Sequence, residues 1–382
     1  MLPVPLAAYL ASTLLAWVTA ALSGEEFWSL AARERWDSVH YLSIASRGYE
    51  MFRCRERYPE FPDVWCGNTA WFPGYPMAAR AVSWTGLPVD VAAVLVTELC
   101  LVAVFVLLWH LLGARLTPGT GAAMALAVVF PGAIYFHAVF PVTIGALGLL
   151  ICVLGIQRES LSYAAVGAWI AFSTHLVGAV APIMLVLSIG FAWRSSAWPV
   201  RVAKGLGAAV AGATAYLLLA VSEYRATGRW DAYWEHQRDA YGQGDLKNPF
   251  EQVEVFFHTP FSSWYPADPD DTWLVQHAGD AHSTQLVINL VLAAVILAVV
   301  VWRAVNRDLE PWEIAAAVLA AGVLAMPFVT GAETSWYRNH ALAVVAVPVL
   351  RKAPFWLLLP LVLRCAEQYL FLGAMWYGGS LV

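Results

Sequence analysis

Charge is what this 382-residue chain has least of. Asp, Glu, Lys and Arg make up 13% of it, hydrophobic residues 60%, and mean hydropathy is +0.62. A soluble domain carries roughly a quarter charged residues and just under half apolar ones, so this composition excludes a disordered chain and argues against a soluble enzyme. No basic cluster is present and the net charge is −5, which speaks against nucleic acid as a partner. Five cysteines are too few for a disulfide scaffold; Cys100, Cys152 and Cys365 lie in apolar runs and read as small hydrophobes. Internal repeats, Gly/Ser linkers and low-complexity tracts are missing, so residues 1–382 read as one integral-membrane domain. No Lys or Arg precedes the first apolar run, which therefore reads as a retained helix and not a cleaved signal peptide.

The charge that exists is gathered. Residues 23–89 hold 15 charged side chains and residues 223–283 another 15, so 30 of the 49 charges occupy two stretches. Long apolar runs fill the rest, at 3–22, 90–112, 120–137, 140–156, two short helices within 161–193, then 205–222, 284–302, 313–330, 340–350 and 353–372. The expected fold is an all-α polytopic membrane protein of ten or eleven transmembrane helices with two large loops. Arg115, Arg158, Arg194, Arg201, Lys204, Arg303, Arg307, Arg351 and Lys352 can all face the cytoplasm together, which puts both long loops on the extracytoplasmic side. Nineteen Trp and fifteen Tyr suit interfacial belts and sugar-stacking surfaces alike.

The first loop carries the most chemistry. In Arg35-Trp36-Asp37-Ser38-Val39-His40-Tyr41-Leu42-Ser43-Ile44-Ala45-Ser46-Arg47-Gly48-Tyr49, a 3.6-residue period puts Asp37, His40, Tyr41 and Ile44 on one face, with Gly48 as a stop. Such a helix in the interface plane holds a carboxylate where bilayer meets water, which suits a base meeting a lipid-borne substrate; alternatively Asp37 caps the helix or pairs with Arg33 or Arg35. Cys54 and Cys66 lie twelve apart in the same loop and can close a disulfide in an oxidising compartment, or stand as two free thiols. Ala70-Trp71-Phe72-Pro73-Gly74-Tyr75-Pro76 is a rigid aromatic turn back to the membrane.

The segments RWDSVHYLSIASRGY and AWFPGYPMAAR resemble the first extracytoplasmic loop of the PIG-V family, which contains the GPI mannosyltransferase II enzymes and their bacterial relatives within the GT-C superfamily of membrane glycosyltransferases. Phe130-Pro131-Gly132-Ala133-Ile134-Tyr135-Phe136 resembles that family's Pro-initiated aromatic segment. Phe172-Ser173-Thr174-His175-Leu176-Val177-Gly178 resembles its TRxxG stretch, with His175 where Arg is usual. Trp336-Tyr337-Arg338-Asn339-His340 resembles its late RY motif, with Asn339 in place of Tyr. The resemblance implies a GT-C-like bundle and a transferase that takes a sugar, most often mannose, from a polyprenyl-phosphate donor on the extracytoplasmic face. The acceptor would be a glycolipid or cell-envelope glycan, and the anomeric centre would invert. Asp37 matches the general base. Arg338, His340 and His175 become donor-phosphate candidates, and His40, Tyr41 and Trp71 substrate-binding candidates. A bacterial plasma membrane is the first-choice location, ahead of the endoplasmic reticulum.

Other residues have plainer readings. Glu98, inside an apolar run, reads as a neutral hydrogen-bonded side chain facing the bundle interior. Asp268-Pro269-Asp270-Asp271 contains a D-x-D spacing, but three residues in an acidic loop are weak ground for a divalent metal; neither a metal nor another cofactor is expected. His258, His277 and His282 share that loop without a zinc-ligand pattern. Trp230, Trp234, Trp264 and Trp273 read as a sugar platform or a cover, and Arg53, Arg55 and Arg57 as a solvated or headgroup-facing edge. The competing functions are a lipid or solute transporter, disfavoured by the lack of two matching halves, and a non-catalytic lipid-binding relative.

Overall fold

The computed structural model describes residues 2–191, 193, 195–243, 246–258, 281–331 and 336–378. Nearly all regular structure is helical: α1 (Pro3–Leu22), α2 (Leu30–Arg33), α3 (Ser38–Arg47), α4 (Cys54–Arg57), α5 (Gly74–Ser83), α6 (Val89–Leu111), α7 (Pro118–Val128), α8 (Val142–Gln157), α9 (Leu161–Thr174), α10 (Val180–Phe191), α11 (Trp198–Thr227), α12 (Ala232–Tyr241), α13 (Pro249–His258), α14 (Ala281–Val305), α15 (Pro311–Thr330), α16 (Trp336–Leu342) and α17 (Phe355–Tyr377). Six of the described helices, α1, α6, α11, α14, α15 and α17, are long and apolar enough to cross a membrane, and shorter apolar helices lie among them. The chain is an all-α polytopic membrane protein.

Two expected spans differ in kind. The run 120–137 is α7 followed by a 3-10 turn, Ala133–His137. Pro131 supplies no N–H for a continuous helix, and Gly132 takes φ +80° with its α-carbon so close to the Tyr337 carbonyl that a Cβ would sit 2.1 Å from that oxygen. The run 340–350 is the end of α16 and a ten-residue 3-10 helix, Ala343–Lys352, whose residues 343–350 are all buried. At about 1.5 Å per α residue and 2.0 Å per 3-10 residue, residues 336–352 together extend roughly 30 Å.

Small residues let the central helices close up. A Cβ on Gly167 of α9 would lie 2.2 Å from the Cys152 backbone nitrogen of α8, so only glycine permits this approach.

The turns sort to two ends. At one end His110 and Arg158 approach to 3.4 Å. There too Arg303, fully buried, makes a two-pronged pair with Glu313, whose carboxylate also takes Arg351 at 2.9 Å, while Lys352 pairs with Asp308. The buried Arg303 and Glu313 thus neutralise each other, as a low-dielectric interior requires. At the other end the two long loops meet: Arg53 and the Trp65 backbone N–H both donate to Asp239 (3.1 and 2.8 Å), and Gln237 donates to the Ala70 carbonyl (3.1 Å). Arg53 is therefore a link between loops and no free edge; Arg57 pairs with Glu50 at 2.9 Å.

Loop 1 contains a two-stranded antiparallel hairpin, β1 (Met51–Arg53) with β2 (Trp65–Gly67), in which Phe52 pairs with Cys66. Cys54 and Cys66 form a disulfide there, with Cα atoms 4.9 Å apart. Non-reducing peptide mass spectrometry should recover the two cysteine peptides linked, and reduction should lower stability by up to about 3 kcal/mol for so short a loop. Free alkylation of both thiols without reductant would contradict the bridge.

Candidate active site at the loop end

Loop 1 is pinned before it delivers Asp37. Arg33 is buried and pairs with Glu98 of α6, which also receives His137 Nδ1 at 3.1 Å; the His137 Nε2 meets Ser12 Oγ of α1 at 2.9 Å. Glu98 thus faces the bundle interior and is hydrogen-bonded, as expected, but as the ion-pair partner of Arg33 and not as a neutral acid. The Trp376 indole donates to the Ala32 carbonyl (2.9 Å), and the Val139 N–H to the Arg33 carbonyl (3.0 Å). Arg35 goes to Glu25 (3.1 Å), so neither loop arginine is the partner of Asp37.

Trp36 then takes φ +51°, an unusual conformation for a bulky residue and one that marks functional turns. Asp37 stands at the N-cap of α3 but its side chain makes no capping bond. It lies just outside the helix and not on the helical face with Tyr41 and Ile44, both of which are buried. Gly48 ends α3 at φ +89°.

Freed from capping, the carboxylate accepts a hydrogen bond from Arg338, 301 residues away at the start of α16. Their side chains are 17% and 10% exposed. Arg338 also lies 5.6 Å from the centre of the Phe140 ring. Burial pushes the Asp37 carboxyl up, but the Arg338 charge and hydrogen bond, a hydrogen bond with Trp71 and the nearby His40 outweigh it, holding the group below the ordinary carboxylate range. Asp37 is therefore ionised at neutral pH. Its contribution to stability is complete above that ordinary range and is lost as the pH falls below it.

A shell of rings and imidazoles encloses the pair. His40 stacks on Trp71 with ring centres 3.6 Å apart. His236 of α12 meets Trp71 edge-on at 6.0 Å and Thr69 Oγ1 at 2.9 Å, and Tyr241 meets the Trp71 edge at 6.1 Å. Burial lowers His236 to about 4, with His40 adding to the effect. His175 accepts from the Val177 N–H at 3.2 Å and is pushed down to about 3 by burial and by Arg338, against the opposing pull of Asp37. His40 is also lowered, by burial, with Asp37 opposing. The site thus presents one carboxylate, one guanidinium and three neutral imidazoles.

Asp37, Arg338, His40, Trp71 and His175 come together here, with Tyr41 buried beneath, its hydroxyl raised by burial and its ring 5.7 Å from Phe140. His340 does not join them: it is buried and its Nδ1 accepts from Asn289 at 2.7 Å. Trp234 donates to the Tyr216 hydroxyl (2.8 Å) and Trp230 stacks on Tyr224 (4.2 Å), so these two are separate packing contacts and not one platform. Residues 264, 268–271, 273 and 277 lie outside the described residues, as do the side chains of His258 and His282. Among the described residues no group of three His, Cys, Asp or Glu is placed to hold a metal ion. His236 and Tyr241 are additions; a histidine and a tyrosine in an acidic loop carry no sequence signal of their own, and only the docking of α12 on loop 1 reveals them.

Fold and site together define an integral-membrane helical protein whose two long loops meet over a buried carboxylate–guanidinium pair. Comparison with protein-family models and with curated proteins returns no match.

Proposed function

We propose that the protein is a membrane glycosyltransferase that moves a sugar, mannose in the first instance, from a polyprenyl-phosphate donor to a hydroxyl of a lipid-linked or cell-envelope acceptor. The observation that carries this reading is the Asp37–Arg338 pair, one anionic and one cationic group held together beside aromatic and imidazole rings; the motif resemblance of loop 1 adds to it. The acceptor oxygen attacks the anomeric carbon as the bond from that carbon to the phosphate oxygen breaks. The acceptor proton passes to Asp37, and the bonding pair leaves on the phosphate, beside Arg338. A single displacement inverts the anomer. A phosphate that draws Arg338 to itself also releases Asp37 from the contact that depresses its basicity, so donor binding arms the base. The reading calls for no cofactor.

Both loops belong on the extracytoplasmic side of a bacterial plasma membrane in this reading, because the short loops of the opposite end hold the basic residues. A cysteine placed at residue 243 should react with a membrane-impermeant reagent on intact cells and one at residue 197 should not; the reverse pattern would overturn the sidedness. The reaction itself is tested by incubating purified protein with polyprenyl-phosphate mannose and octyl mannoside. A dimannoside product is expected, and no transfer to that or to glycolipid acceptors would sink the reading.

A further inference from the structure

Most of the rings around Asp37 are buried. Trp71 is 6% exposed, Tyr41 3%, and Tyr135 and His236 no more than 2%. Tyr241 is different: it is 46% exposed, while its hydroxyl is near enough to sense the charges of both Asp37 and Arg338. Its ring packs on His236 with centres 5.6 Å apart and planes inclined by 30°, and meets the edge of Trp71. Tyr241 is the last residue of α12, which stops at Gly242 in the left-handed conformation (φ +61°).

That rim is held firmly. His236 meets Thr69, Gln237 reaches the Ala70 carbonyl, and Asp239 takes both Arg53 and the Trp65 N–H. Three side chains of one helix thus fasten α12 to loop 1. The helix presents a half-exposed, pre-oriented aromatic ring at the water-facing edge of this cluster. Trp71 is buried and one face of its indole is covered by His40, so Tyr241 offers the most open ring surface in the cluster.

We propose that Tyr241 forms an acceptor subsite, on which a pyranose ring of the acceptor rests while its hydroxyl reaches Asp37. This rests on the glycosyltransferase reading and assigns the water-facing edge of the cluster to the sugar that receives, leaving the Arg338 side to the phosphate of the donor. An aromatic ring is suited to the task because the C–H face of a pyranose is apolar while its hydroxyls stay hydrated, and a ring fixed beforehand loses little freedom on binding.

The test uses the full chain in detergent or nanodiscs with octyl mannoside as acceptor and polyprenyl-phosphate mannose as donor. Tyr241→Ala should raise the acceptor KM by about tenfold and leave the donor KM within a factor of about two, which also reports an intact donor site; Tyr241→Phe should stay near wild type because the ring is retained. An unchanged acceptor KM, or a rise in the donor KM alone, would overturn the subsite. Saturation-transfer NMR of octyl mannoside separates this from the parent reading. A wild-type protein that transfers no sugar yet binds the glycoside through Tyr241 keeps the subsite and loses the reaction, whereas no glycoside binding removes both.

Discussion

Asp37→Asn should lower transfer turnover by a factor of about 10² to 10⁴, the usual worth of a general base. Asn keeps the size and its side-chain oxygen still accepts from Arg338, but it cannot take a proton. The loss should fall mainly on kcat, since the base acts as the acceptor oxygen attacks. The complication is that the same carboxylate neutralises a buried guanidinium, and breaking a buried pair from one side typically costs about 3–5 kcal/mol. Thermal unfolding separates the two roles. The double variant Asp37→Asn/Arg338→Met removes both charges and should unfold closer to wild type than the less stable single variant, while remaining inactive. Near wild-type turnover in Asp37→Asn would make Asp37 a purely structural partner.

Arg338→Ala should act more broadly. It strips the cation from the site and leaves the Asp37 carboxylate in a buried setting without its strongest partner. The Asp37 pKa then rises, because burial is the largest influence on it and the main opposing charge is gone. Turnover should fall by about 10²-fold or more, on the scale seen when one charge-stabilising donor is removed from a transition state. The donor KM should rise with it, since the phosphate is anionic before and after transfer. Arg338→Lys should recover part of the binding and less of the rate, because an ammonium cannot reproduce the planar fork of donors. An unchanged donor KM in Arg338→Ala would remove Arg338 from the phosphate site and leave it as the counter-ion of Asp37 alone.

What could be read from the chain, and what could not, follows from the range of the interactions involved. Hydropathy located α1, α6, α15 and α17 within a few residues, because burial in a membrane writes itself into every position of a span. It gives 340–350 as an ordinary helical run where most of that stretch is 3-10 helix, since apolar content does not report rise per residue. Asp37 stands out through its local motif, and the pairing partners that sequence proximity offers it are Arg33 and Arg35, four and two residues away. The carboxylate reaches Arg338 instead, because Glu98 and Glu25 already occupy the nearer arginines. The same holds for Glu98, read as a neutral hydrogen-bonded acid: its partners Arg33 and His137 come from separate parts of the chain. His236 and Tyr241 were invisible because nothing in α12 declares that it will dock on loop 1.

The buried 3-10 segment bears on how the protein is made. Residues 343–350 are walled in by other helices, and their apolar stretch is flanked by Arg338 on one side and by Arg351 and Lys352 on the other. Released alone into a bilayer, a segment this short and this heavily flanked would gain little from lipid. It becomes favourable only once neighbours exist to enclose it and to supply Glu310 and Glu313 for Arg351. Arg338 rides at the leading edge of that late-arriving piece. During biosynthesis, then, Asp37 leaves the ribosome about three hundred residues ahead of its counter-charge, and the first loop must wait, half-furnished, until the last quarter of the polypeptide slots into place.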